Sequence, residues 1–336
     1  MNGSRFEPLA LLRALFACVA LLALPVTASS EETAVTTSHF QHTYSANVIT
    51  DNAFFQLSVN GAPMAQHLRL ENQVLTVPVE MALQHGPNSL VLDVEPFDLD
   101  AQAFTPHAGV YIQIGLTQLR GAPVGQSVLL TLRYDVGEGR FVQVDDGANA
   151  QSFAPTSAIR IEETQIVYGN RVSDAAARRI TVSFDLNDPA LTQVPWADAI
   201  PLADTPENRT VLYEASAALH SAYAEGDVEA WSTILGPHLE RLRRARGYDT
   251  IPELVSAVLD RSPLSGPDGA QLMPLLSPQE AASVPLRSGP DDRLVTFRQA
   301  PIRFMVPDAQ RPRTVRVYFC ALPAGVFVCH TQQLTF

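Results

Sequence analysis

The chain contains no lysine: all 23 of its basic residues are arginine. Without a side-chain amine it can build no Schiff-base enzyme, no pyridoxal-phosphate enzyme and no Walker-type P-loop. The catalytic signatures G-x-S-x-G and H-E-x-x-H, the pair C-x-x-C and the Gly-rich dinucleotide fingerprint are also missing from the sequence. A dispersed catalytic site leaves no such signature, so these absences weaken an enzymatic reading without removing it. No cofactor and no resident metal are expected. Long apolar runs are lacking too. The longest, Ala14–Val26, has 13 residues, short of the roughly 20 that span a bilayer.

That run has a meaning of its own. Arg5 and Arg13 precede or open it, and Val26-Thr27-Ala28 places small residues where a signal peptidase reads. The pattern predicts a secretory signal peptide over residues 1–28 and an exported mature chain of about 308 residues. Cys18 lies inside the apolar run, which continues past it, so Leu15-Phe16-Ala17-Cys18 is read as part of the signal and not as a lipoprotein box. Two cysteines, Cys320 and Cys329, then remain. The arginine-only composition and the signal together suggest a bacterial periplasmic or secreted protein.

Charge divides the chain. Residues 29–205 carry 20 acids and 8 arginines, whereas residues 206–336 carry 14 acids and 13 arginines. An acidic first half argues against nucleic acid and anionic lipid as its partners. Patterning divides it at the same place. In residues 38–188, apolar and polar residues alternate, as in Phe55/Leu57/Val59, Leu90/Leu92/Val94 and Ile180/Val182/Phe184. Turn signals such as Asn60-Gly61 and Gly137-Glu138-Gly139 punctuate the alternation. Short strands of period two with such turns predict an antiparallel β-sandwich. Residues 189–205 hold three prolines and no period, and read as a linker with Trp196 packed against a neighbouring core. From 206 onward the expectation is α+β: a helix capped by Thr205 and stopped by Gly226, one capped by Asp227, one near 252–259, then strands to the end. The expected fold is therefore two-domain, an all-β sandwich followed by an α+β domain over 206–336.

Two stretches resemble known families. Val59-Asn60-Gly61, Leu75–Val79 and Leu83–Leu90 resemble jelly-roll and immunoglobulin-like domains, where such residues make turns. Leu219–Leu235 (LHSAYAEGDVEAWSTIL) resembles the opening helices of the NTF2-like, or SnoaL-like, superfamily. That resemblance implies a sheet wrapped around helices as a cone with a pocket, in a family of both enzymes and binding domains, some of which dimerise.

Candidate residues follow. Cys320 and Cys329 flank a predicted hairpin. A two-residue loop at Ala324-Gly325 would set them opposite each other at disulfide range. His330 would then face away from Cys329. His220, Asp227 and Glu229 are the candidates for a general acid or base in the C-terminal pocket. Arg241, Arg243, Arg244 and Arg246 close a helix and offer a docking or anion-binding face as the alternative to capping and solvation. His39 and His42 have H-x-x-H spacing but no further ligands, and His238 reads as a surface or partly buried helix residue. Asp98, Asp100, Asp145 and Asp146 read as turn carboxylates before calcium ligands. The expected function is a non-catalytic binding or interaction protein of the envelope, taking a protein, a glycan or a small molecule. The alternatives are an enzyme using the C-terminal pocket and an immunity or inhibitor protein.

Overall fold

Alternation in the first half becomes two antiparallel sheets in the computed structural model. It describes residues 44–67, 73–118, 125–144, 153–168, 171–173, 177–246, 248–260, 269–305, 307 and 312–332. The expected signal peptide, His39, His42, Asp145 and Asp146 lie outside these residues. One sheet has the order β4-β1-β6-β7-β8, from β1 (Tyr44–Asp51), β4 (Gln73–Pro78), β6 (Tyr111–Gln118), β7 (Gly125–Asp135) and β8 (Arg140–Gln143). The other has the order β3-β2-β5-β12-β9, from β2 (Ala53–Val59), β3 (Ala62–His67), β5 (Gly86–Pro96), β9 (Thr156–Glu163) and β12 (Arg178–Leu186). β10 (Val167–Tyr168) and β11 (Arg171–Val172) form a small separate ribbon. Alternate residues of each sheet, among them Val48, Ile114 and Leu132 of one and Leu57, Leu92 and Val182 of the other, meet in a single apolar core. Two sheets packed face to face in this way form a sandwich, the arrangement expected from the period-two patterning and its turns. Asn60 and Gly61, both at positive φ (47° and 81°), make the two-residue turn between β2 and β3, as the Asn-Gly pair predicts.

The segment 189–205 is a strap on this core. Val194, Trp196 and Ala199 are buried in it, and the Trp196 indole donates to the Asn60 carbonyl at 2.6 Å.

Helices follow where caps predict them. α1 (Pro206–Glu225) starts at Thr205, whose side chain accepts from the Asn208 amide, and ends on Gly226 in the left-handed conformation. α2 (Val228–Ile234) starts at Asp227, and α3 (Gly236–Arg246) and α4 (Ile251–Asp260) continue the layer. α5 (Pro278–Ser283) was not anticipated, although Ser277 and Glu280 form the capping box that signals it. The strands β13 (Gln271–Leu272), β14 (Leu286–Ser288), β15 (Val295–Phe297), β16 (Ile302–Met305), β17 (Arg313–Leu322) and β18 (Gly325–Gln332) form an antiparallel sheet around β17.

This sheet has two apolar neighbours. Val315, Val317, Phe319 and Val328 join Leu212, Leu219, Trp231 and Leu239 of the helices in a second core, whereas Tyr318, Cys320 and Cys329 belong to the sandwich core. The C-terminal sheet thus lies between the helix layer and the sandwich, and the described residues belong to one compact unit, 39–336. No helix among them is long and apolar enough to cross a membrane.

The β17–β18 register corrects one expectation. The turn is Pro323-Ala324, with Leu322 opposite Gly325, so Cys320 faces Phe327 and not Cys329. A register shift then pairs Phe319 with Val328 but Tyr318 with His330, leaving Cys329 as the extra residue of a bulge. The bulge turns both Cys329 and His330 toward the sandwich, where strict alternation would have separated them. Cys320 and Cys329 are disulfide-bonded across this irregularity, with Cα atoms 5.8 Å apart.

Candidate functional site

Strand alternation also builds the site. On β2, Phe55, Leu57 and Val59 enter the sandwich core, so Gln56 and Ser58 point out of it. On β17, Val315, Val317 and Phe319 enter the helix-side core, so Thr314, Arg316 and Tyr318 point back toward the sandwich. Between these two outward faces lies a cleft of about 630 Å³. Its walls include Gln56, Ser58, Asp93 and Arg179 on the sandwich side, and Arg287, Arg316 and Tyr318 on the other. His238, His330 and Thr331 line it as well. Close backbone contact holds its rim: a Cβ on Gly289 would sit 2.5 Å from the Gly61 carbonyl oxygen, so only glycine fits there.

Its charges are distributed unevenly. Arg179 clamps Asp93 through two parallel bonds of 2.7 and 2.9 Å, which occupy both carboxylate oxygens. Arg287 donates instead to the neutral Gln56 side chain at 2.7 Å, and Arg316 donates to Tyr318. Among the described residues no carboxylate lies within ion-pair distance of Arg287 or Arg316, unlike Arg209 on Asp204 or Arg243 and Arg244 on Glu240. Burial, with the nearby positive charges of Arg316 and Arg298, lowers the Arg287 pKa.

One end of the cleft holds two buried imidazoles. The His330 Nε2 lies 3.3 Å from the Pro63 carbonyl oxygen, which can only accept, so Nε2 carries the proton and Nδ1 does not. Among the described residues that buried Nδ1 has no hydrogen-bond partner. The His238 Nε2 lies 2.9 Å from the Thr331 hydroxyl, and the two imidazole rings meet edge to face at 5.9 Å. Burial lowers the His330 pKa to about 4. Burial, aided by His330 and Arg241, lowers that of His238 to about 3. Both are therefore neutral near pH 7. The sequence reading of His238 as a surface or partly buried residue is corrected: the side chain is fully enclosed where α3 meets β18.

The other candidates are scattered. The Arg241 guanidinium is buried and donates to the Met81 and Thr192 carbonyls, each at 2.7 Å, tying α3 to the loop after β4 and to the strap. Burial lowers its pKa to about 10, while Glu80 opposes that shift. Arg243 and Arg244 both hold Glu240, whose pKa they lower to about 2. The Arg246 side chain lies outside the described residues. Arg241 therefore turns away from Arg243 and Arg244, which share Glu240. Asp227 caps α2, accepting from the Glu229 and Ala230 amides at 3.0 Å, and Glu229 is an exposed residue of that first turn. His220 lies 2.9 Å from the Met273 carbonyl through Nε2. His220 contacts the segment after β13, Asp227 caps its own helix and Glu229 is exposed, while Trp231, Leu235, Phe297 and Phe304 belong to the apolar core between the helices and the sheet. Asp98 closes its own turn on the Asp100 and Ala101 amides. Among the described residues, no group of three or more His, Cys, Asp or Glu side chains is placed to hold a metal ion.

Sequence reasoning missed the cleft. Arg287 and Arg316 lie on separate strands, both far from β2 in sequence, and only the tertiary fold brings both to the wall of one cleft. No family model, curated protein or solved structure matches this chain.

Proposed function

We propose that this is an exported, non-catalytic binding protein whose ligand occupies the cleft between the sandwich and the C-terminal sheet. The observation that carries the reading is the cleft: a concavity of about 630 Å³, within the range of small-molecule sites and lined by converging polar groups. In this reading residues 38–188 form a sandwich domain and residues 206–336 an NTF2-like α+β domain, and the site lies where they join. Such junctions are where ligand sites concentrate. Export follows from the signal pattern of residues 1–28, and the Cys320–Cys329 bond suits an oxidising compartment. A concave cleft favours a small molecule or a short glycan over a flat protein surface. Catalysis in the helix–sheet interior is disfavoured because that interior is packed with apolar side chains.

The test is a thermal-shift screen of the mature chain against a panel of neutral and acidic sugars and small organic acids. A Ser288→Trp variant, which fills the cleft from an exposed position, runs in parallel. At least one compound is expected to stabilise the wild type and not the variant, by about 2.7 kcal/mol at one hundred times its Kd. Binding that ignores the plug, or conversion of the bound compound to a product, would sink the reading.

A further inference from the structure

Arg287 and Arg316 present an anomaly that a neutral ligand would not relieve. A guanidinium keeps its charge, and withdrawing it from water without an anionic partner is unfavourable. Here two stand on the wall of one cleft, each on a neutral protein partner. The Arg316 charge is close enough to bear on Arg287. Of the two acids that line the cleft, Asp93 acts on Arg287 only at a distance, its oxygens already accepting from Arg179, and Glu80 acts on Arg241. The whole chain, moreover, carries a net charge of −12, so a locally positive recess runs against the general field. An oxyanion between the two guanidinium groups would satisfy both with charge-assisted hydrogen bonds, and the planar fork of arginine suits carboxylate and phosphate alike.

We propose that the cleft is an oxyanion-binding site in which Arg287 and Arg316 together seat the carboxylate, phosphate or sulfate group of a small ligand. Tyr318 positions Arg316, and Gln56 positions Arg287 from across the cleft. This inference rests on the cleft being the ligand site and names the ligand's charged group.

The experiment uses the mature chain and four probes: trigalacturonate, inorganic phosphate, inorganic sulfate and neutral trigalactose. Isothermal titration is run at low and high sodium chloride on the wild type and on Arg287→Gln, Arg316→Gln, Arg287→Lys, Ser288→Trp and, as a distant control, Arg244→Gln. At least one anion is expected to bind saturably and more weakly at high salt. Each glutamine variant should lose at least about tenfold in affinity. Arg287→Lys should recover part of that loss, and Arg244→Gln should match the wild type. Trigalacturonate binding alone assigns a carboxylate, and phosphate or sulfate binding assigns the tetrahedral oxyanions. Anion binding that survives both glutamine variants overturns the proposal, as does the absence of binding by all three anions. If trigalactose alone binds and the tryptophan plug abolishes it, the cleft remains the site and the oxyanion assignment falls. Circular dichroism of each variant separates lost affinity from lost fold.

Discussion

The two faces of β17 come from alternate residues of one strand, yet they look onto different chemistry. Val315, Val317 and Phe319 meet Leu212, Trp231 and Leu239 in an apolar interior. Thr314, Arg316 and Tyr318 face a cleft that holds arginines and two buried histidines. The interior was the expected location of a pocket, and Trp231, Leu235, Phe297 and Phe304 are packed in its core. The cleft lies on the opposite side of the same sheet. The helix-then-sheet order of the second half is thus compatible with a purely structural interior, and a site can form on the face that docks against another sheet.

Three measurements would break or sharpen this contrast. The largest effect is expected from Trp231→Ala. The side chain is fully buried on the helix side, and its loss should cost about 3–5 kcal/mol in denaturant unfolding. Cleft ligands should still bind at unchanged affinity below the new midpoint. A parallel collapse of affinity would show that interior and cleft are not separate.

The histidines should separate the faces by pH. Their folded pKa values, about 3 for His238 and about 4 for His330, lie below the ordinary value near 6.5. The unfolded chain therefore binds more protons as pH falls below 6.5, and stability drops through that window toward pH 4 and then 3. The slope is up to about 1.4 kcal/mol per pH unit for each histidine. Arg241 adds an adjacent positive charge that opposes protonation of His238. Urea midpoints measured from pH 7 to pH 4 should fall more steeply for the wild type than for a His238→Gln, His330→Gln double variant. Equal slopes would mean that these imidazoles are not the neutral, enclosed groups described.

The smallest effect belongs to Asp227→Ala. Removing the cap of α2 should cost about 1 kcal/mol and leave ligand affinity in the cleft intact. A variant that folds normally but loses a measurable turnover would instead revive the enzymatic reading of His220, Asp227 and Glu229.

How legible the molecule was depends on the range of the interaction concerned. The β2–β3 turn was readable because Asn60 and Gly61 supply positive φ locally. The start and stop of α1 were readable because Thr205 and Gly226 act on the neighbouring turn. The signal for α5 lies in Ser277 and Glu280, a capping box on a helix too short to show a period. The β17–β18 register was not readable from its turn residues alone, since the bulge at Cys329 depends on how the hairpin meets its neighbours. The arginine cluster of α3 reads in the sequence as capping and solvation, with a docking or anion-binding face as the alternative. Instead, tertiary contacts assign Arg241 to backbone carbonyls 49 and 160 residues away, while Arg243 and Arg244 turn to Glu240.

By itself the sequence determined the alternation of strands, the capped helices, the absence of lysine chemistry and the expectation of export. Each depends on composition or on residues a few positions apart. Only the tertiary structure decided that Arg287 would meet Gln56 across 231 positions, and that an outward sandwich face and an inward C-terminal face would enclose a cleft. The physical reason is that period two separates the faces of a strand but does not specify what they meet. That is settled when whole sheets dock and bury the remaining apolar surface.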